Sequence, residues 1–152
     1  MSKNKRSSKS SGNNFSLTPG VTKTEKSKRA KYLIRRINDL YDNISEWIKD
    51  LNDYSMKKTN ISVDGEKLPV VDINYEKKLV VSLKPTGLWA FGVNCRIDII
   101  SEKETNILID ITKEKDEPDW QLISSEAGKK PKKLTKVIFR NLLRKLQKLE
   151  QM

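Results

Sequence analysis

The spacing of apolar residues changes twice along this chain, and the two changes leave few folds open. Ala30, Leu33, Ile34, Ile37, Leu40, Tyr41, Ile44, Trp47, Ile48 and Leu51 hold heptad positions a, d and e through three heptads. That spacing predicts an amphipathic helix over residues 26–51, with a stripe wider than a bare coiled-coil seam. Residues 52–60 read as a polar link, with a turn at Asp64-Gly65, and the period then drops to two. Val71, Ile73 and Tyr75 alternate with Asp72 and Asn74, and after a turn at 76–78 Leu79, Val81 and Leu83 continue on odd positions. Pro85 and Gly87 mark the next turn. Trp89, Phe91, Val93, Cys95, Ile97 and Ile99 then share one side of the longest expected strand. Ile107, Ile109 and Ile111 are expected to face inward on the strand after that, and a short strand at 120–123 follows the acidic loop 114–119. The helical period returns with Leu134, Ile138, Leu142, Leu146 and Leu149, flanked by Phe139 and Leu143.

The order helix, strands, helix predicts the α+β class. It comprises a long N-terminal amphipathic helix, an antiparallel four- to five-stranded meander sheet, and a C-terminal basic helix packed on the same sheet face. Residues 1–24 hold only Phe15, Leu17 and Val21 as apolar anchors among Ser, Lys, Asn and Gly, which predicts a disordered basic tail. Residues 25–152 then form a single α+β domain.

Charge divides along the same lines. Residues 1–31 carry nine basic residues and one acid, residues 129–152 the same, and the middle carries thirteen basic and eighteen acidic residues. Two basic ends on a mildly acidic body imply attachment to a polyanion. The single cysteine excludes an internal disulfide framework and suggests a reducing, cytoplasmic compartment, with organellar import as an alternative reading of the Ser- and Lys-rich leader. No histidine occurs, which removes the commonest general base and metal ligand together. No stretch reaches the ~18 apolar residues of a membrane span.

Few residues invite a catalytic reading. Asp98 and Asp110 are placed by parity on the solvent side of neighbouring strands with Lys113 close behind, a set that resembles the two carboxylates and lysine of restriction-type nucleases. Asp110-Ile111-Thr112-Lys113 departs from the acid-x-Lys pattern, however, and a cross-strand ion pair between Arg96 and Asp110 accounts for the same residues. Cys95 falls on the apolar parity with no base to activate it. The run 116–119 lacks calcium-loop spacing, and Gly87 and Gly92 make no phosphate loop. Trp89, Phe91 and Trp120 alternate with polar residues, which assigns them to the core rather than to base stacking. No catalytic, metal or cofactor site is expected.

The C-terminal stretch carries the functional expectation. Lys129, Lys130, Lys132 and Lys133 precede the apolar period, and Lys136, Arg140, Arg144 and Lys148 follow on its polar side. With Pro131 in the first turn and no Ser, Thr, Asp or Asn at the cap, the four lysines crowd the positive end of a helix dipole, where a phosphate would relieve them. Over residues 124–143 this arrangement is similar to the closing helix of double-stranded-RNA-binding domains, in which a lysine pair at the helix start clamps phosphates. The likeness is one of mechanism. Lys28 and Arg29 extend the basic arm into the first helix. The expectation is a non-enzymatic small basic domain that binds nucleic-acid phosphates, without sequence specificity, through its N-terminal arm and C-terminal helix. Two alternatives stand beside it. One is a protein-interaction or accessory module that docks a partner through the N-terminal helix or the outer sheet face, with homodimerisation through that helix included. The other is peripheral binding to a membrane surface. No small-molecule substrate is evident.

Overall fold

Among the described residues, seven antiparallel strands, each paired with its neighbour in sequence, form one meander sheet in the order β1 to β7. They are β1 (Tyr54–Val63), β2 (Glu66–Tyr75), β3 (Lys78–Leu88), β4 (Cys95–Ile100), β5 (Thr105–Asp110), β6 (Trp120–Ile123) and β7 (Lys132–Lys133). Helix α1 (Lys23–Ile48) precedes the sheet and α2 (Lys136–Glu150) comes after it. The computed structural model describes residues 23–63, 65–88, 95–110, 112 and 117–150. The expected tail therefore falls almost wholly outside the described residues, as do Trp89, Phe91 and Lys113. The chain separates into two units, Met1–Tyr32 and Leu33–Met152. Of the first, residues 23–32 are described and are helical, with Lys28 and Arg29 exposed. The second unit holds the rest of α1, the whole sheet and α2.

The strand count of seven corrects the expected four to five. Of the two additional strands, β1 escapes a periodicity search because it lies at the sheet edge. Only Tyr54, Met56, Ile61 and Val63 among its ten residues are half-buried, and the rest are exposed. β7 is two residues long and both are lysines.

One sheet face holds the core. Val71 pairs with Leu83, Ile73 with Val81, Leu83 with Ile99, Ile97 with Leu108 and Leu108 with Leu122, and all of these are buried. From α1, Leu33, Ile37, Leu40, Tyr41, Ile44 and Ile48 are buried; from α2, Phe139, Leu143 and Leu146. Burying an apolar side chain of this size contributes about 1.5–3 kcal/mol. The Tyr41 hydroxyl lies 3.0 Å from the Pro69 carbonyl oxygen and 3.2 Å from that of Leu83, so it meets the backbone of both β2 and β3. Trp47 and Phe139 bring the two helices together, with ring centroids 6.0 Å apart, and α2 lies against β3.

Two turns reset the side-chain parity and correct the expected faces. Tyr75 pairs with Lys78 across the two-residue turn Glu76-Lys77, both at positive φ (49° and 72°), so Leu79 stands opposite Asn74 on the outer face and is 51% exposed. A bulge at Val80 then returns Val81 and Leu83 to the core side. Between β4 and β5 the Ser101 amide donates to the Glu104 carbonyl (3.0 Å), closing a turn that pairs Ile100 with Thr105. Odd residues of β4 therefore face even residues of β5. Asn106, Leu108 and Asp110 point to the core, and Ile107 and Ile109 point outward, the reverse of the expectation.

A candidate nucleic-acid interface around the C-terminal helix

The lysines expected at the start of α2 are not in the helix. Gly128, at φ +82°, takes the chain back toward the sheet after the bend beyond β6. Lys132 and Lys133 then pair with Leu122 and Gln121 as β7, and the Leu134 amide donates to the Trp120 carbonyl (2.8 Å). Helix α2 begins at Lys136 and is capped by Thr135, whose Oγ1 accepts from the Ile138 amide at 3.2 Å and whose carbonyl accepts from the Phe139 amide at 2.9 Å. The threonine side chain satisfies one of the donors at the helix start that a phosphate was expected to satisfy. The uncapped, lysine-crowded helix start is thus overturned, and with it the specific likeness to a lysine pair at a helix N-terminus.

The folded chain assembles a different arrangement from the same residues. Lys129, Lys130 and Lys132 lie along one wall of a cleft of about 210 Å³, and Lys145, with Asn141, Ile138 and Leu142 of α2, forms the other. Asn106, Ser124 and Glu126 also line it. Asn106 is 1% exposed and holds this wall in place. Its Oδ1 accepts from the Ser125 amide (3.0 Å) and its Nδ2 donates to Glu104 Oε2 (2.9 Å). Glu126 spans the cleft, with Oε2 3.3 Å from Lys129 Nζ and Oε1 3.2 Å from Lys145 Nζ. The hydrogen bond from Lys145, then that from Lys129, holds the Glu126 carboxyl below the usual carboxylate range. Partial burial works against the charge on Lys145, but Glu126 and Glu104, the latter 3.4 Å away, carry it above the ordinary lysine value.

Of the remaining expected residues, Lys136, Arg140 and Arg144 occupy the other flank of α2, and Lys148 lies in its last turn. Arg140 and Lys145 are five residues apart, which sets them about 140° apart around a helix axis. Arg140 Nη1 is 3.7 Å from Asp50 Oδ1, just beyond the end of α1. The positive charge of Arg144 acts on Tyr54, whose phenol is raised mainly by burial and by Tyr75 and is lowered by that arginine. Lys136, Arg144 and Lys148 are exposed. The expected set thus divides in two: Lys129, Lys130 and Lys132 at the cleft, and Lys136, Arg140, Arg144 and Lys148 along the helix away from it. Lys133 is exposed on β7, and Lys28 and Arg29 belong to the first unit. Lys145, Asn141, Asn106 and Glu126 were missed. Lys145 sits in the basic run but one residue past Arg144, off the four-residue series that drew attention to its neighbours.

The carboxylates considered for metal chemistry are separated. Asp98 is on the outer face, bonded to Arg96 Nε at 2.9 Å. Asp110 is fully buried on the core face opposite Cys95, and Arg96 stands opposite Ile109. The Asp110 partner is instead Arg36 of α1, with Nη1 to Oδ2 at 2.5 Å. Among the described residues, no group of three or more His, Cys, Asp or Glu is placed to hold a metal ion, and no helix is long and apolar enough to cross a membrane. Comparison with protein-family models, curated proteins and solved structures finds no match.

Proposed function

We propose that this chain is a non-enzymatic nucleic-acid-binding module that engages phosphates with little dependence on base sequence. Lys129, Lys130, Lys132 and Lys133 with α2 supply the main contacts, and Lys28 and Arg29 with the basic N-terminal arm add others. The observation that carries this reading is the convergence of Lys129, Lys130, Lys132 and Lys145 on one cleft whose lining holds a single carboxylate. The donors there are ammonium groups, which act as point charges without the planar fork that reads base edges, so phosphate rather than sequence is the natural target. A membrane-surface role is disfavoured, because α2 buries Phe139, Leu143 and Leu146 and leaves no continuous apolar face to insert.

The test is a salt titration with duplex RNA, duplex DNA and anionic vesicles side by side. Each phosphate neutralised contributes about −0.9 to the slope of log K against log salt on B-DNA. The variant carrying Lys129→Ala, Lys130→Ala, Lys132→Ala and Lys133→Ala should weaken binding alike on unrelated sequences and flatten the slope on B-DNA by up to about 3.6. An affinity that does not change between low and physiological salt refutes the proposal.

One observation favours a protein-binding role instead. Ile107 pairs with Ile123 on the outer sheet face, and Ile109 and Ile100, the latter 37% exposed, lie on the same three strands. Recovery of the pure protein in a fixed stoichiometric complex, with no absorbance from nucleic acid, would support that reading over the first.

A further inference from the structure

The two edges of the sheet are built differently. At one, β7 is two residues long and the chain turns at once into α2. At the other, β1 runs for ten residues and pairs only with β2 among the described residues. Every second residue of an antiparallel edge strand turns its N–H and C=O away from its neighbour. β1 therefore presents about ten unpaired backbone groups. Tyr54–Val63 contains no proline, glycine or acid, and its Tyr54, Thr59, Ile61 and Val63 are of types that suit a strand. Lys57 and Lys58 stand at its centre, one on each face, both exposed and with no ion pair among the described residues. Lys58 lies opposite Val71 and so on the core side of the sheet. The charge of Arg144 reaches Tyr54 at the start of the same strand.

From this we infer that β1 is a docking edge for an extended acidic segment of another protein, which adds as an eighth strand. Backbone pairing would supply the affinity and the two lysines the selection. Charge decides between this occupant and a second copy of the chain. Antiparallel pairing of two β1 strands near full overlap would bring four lysines within a residue or two of one another across the new ladder. Like charges in that relation destabilise a strand pair, whereas opposite charges stabilise it. The lysines thus repel a second copy and attract an acidic strand. The site is distinct from the basic cleft and does not depend on the proposed function.

The probe is a fluorescein-labelled octapeptide, Val-Thr-Val-Glu-Glu-Val-Thr-Val, titrated with the full chain and followed by anisotropy. Three comparisons accompany it: the same peptide with lysines for the glutamates, the peptide with alternate amides N-methylated, and the Lys57→Glu, Lys58→Glu double variant of the protein. The inference expects at least tenfold weaker binding in each, with slowed amide exchange confined to β1 and the edge of β2. The fourfold lysine-to-alanine variant of the cleft segment should bind the peptide like the parent. Absence of binding overturns the inference. So does binding that ignores N-methylation, which would be charge attraction alone, or protection that appears at the cleft. A thermal melt of the double variant establishes that it is folded, and a free protein that sizes as a dimer through β1 would assign the edge to a second copy.

Discussion

Removing the Asp110 carboxylate should be among the most damaging single changes in the domain, and the structure sets the scale. Asp110 Oδ2 accepts from Arg36 Nη1 at 2.5 Å, and the two side chains are 0% and 4% exposed. Its other oxygen accepts from Thr112 Oγ1 at 2.6 Å, the Thr112 amide at 3.1 Å and the Asp119 amide at 3.3 Å. Thr112 Oγ1 in turn accepts from Arg36 Nη1 at 2.9 Å. Asp110→Ala removes the carboxylate that faces a desolvated guanidinium, and breaking a buried pair from one side costs about 3–5 kcal/mol. Whole domains of this kind are stable by about 5–15 kcal/mol. The loss should therefore shift the urea midpoint far down or unfold the chain at 37 °C. A pair that is expensive to break is not thereby a strong net contributor, because both ions were first taken out of water. The double variant Arg36→Met with Asp110→Leu, which replaces the pair by apolar groups, should lie within about 2 kcal/mol of the parent. Equilibrium urea unfolding of the parent, Asp110→Ala, the single variants Arg36→Met and Asp110→Leu, and the double variant measures both quantities, provided the slope with denaturant stays constant. A single-variant cost below about 1 kcal/mol, or a double variant as unstable as the two losses added together, would refute the assignment of Asp110 as counter-ion to Arg36.

Glu126 occupies the cleft as an internal anion between Lys129 and Lys145. Glu126→Gln should tighten nucleic-acid binding by about two- to fivefold at low salt, with the gain fading as salt rises; weaker or unchanged binding at low salt would place the phosphate elsewhere. Alkaline pH should destabilise the fold. Burial first, then the Asp110 charge, pushes the Cys95 thiol up to about 12, against an opposing effect of Arg36, and burial raises the Tyr41 phenol above the ordinary tyrosine value. Both groups hold their protons more tightly when folded, so their contribution is fully present below the unfolded-state values and is lost as pH rises through and above about 9. The urea midpoint should fall above that pH, and less steeply in a Cys95→Val, Tyr41→Phe variant; parallel profiles for the two proteins would contradict this.

The parts of the fold legible in the sequence are those where one face is buried and the chain keeps step with its own period. The α+β class came from such segments, and the covered strands β2 to β6 carry most of the core. Reading failed wherever one residue of offset decides which face a side chain meets. Odd positions run inward through β4, and nothing in the composition of residues 101–104 announces that the turn there transfers the inward role to even positions of β5. A single residue of register separates a solvated Asp110 from a buried one. Local composition ranks the alternatives poorly, because Ile107 and Ile109 are the more apolar set and still face out. What settles the register is Arg36, 74 residues away, which supplies the only charge that makes a buried Asp110 tolerable among the described residues.

The start of the C-terminal helix was misplaced in the same way and for a related reason. The lysine run was visible as a count, but whether residues 129–133 start a helix or pair with β6 depends on which backbone groups are open at the sheet edge. Once Lys132 and Lys133 take that edge, Thr135 becomes the cap, and the basic residues separate into a cleft and a helix flank. The helix dipole, which prompted the first functional reading, then no longer carries it. The positive charge that remains is that of side chains placed by tertiary structure, so its effect should depend on salt and on the fold together. A peptide of residues 128–152 alone should therefore bind nucleic acid more weakly than its charge suggests, because it lacks the β6 edge that aligns Lys132 and the Asn106–Ser125 bond that holds the segment leading into the lysines.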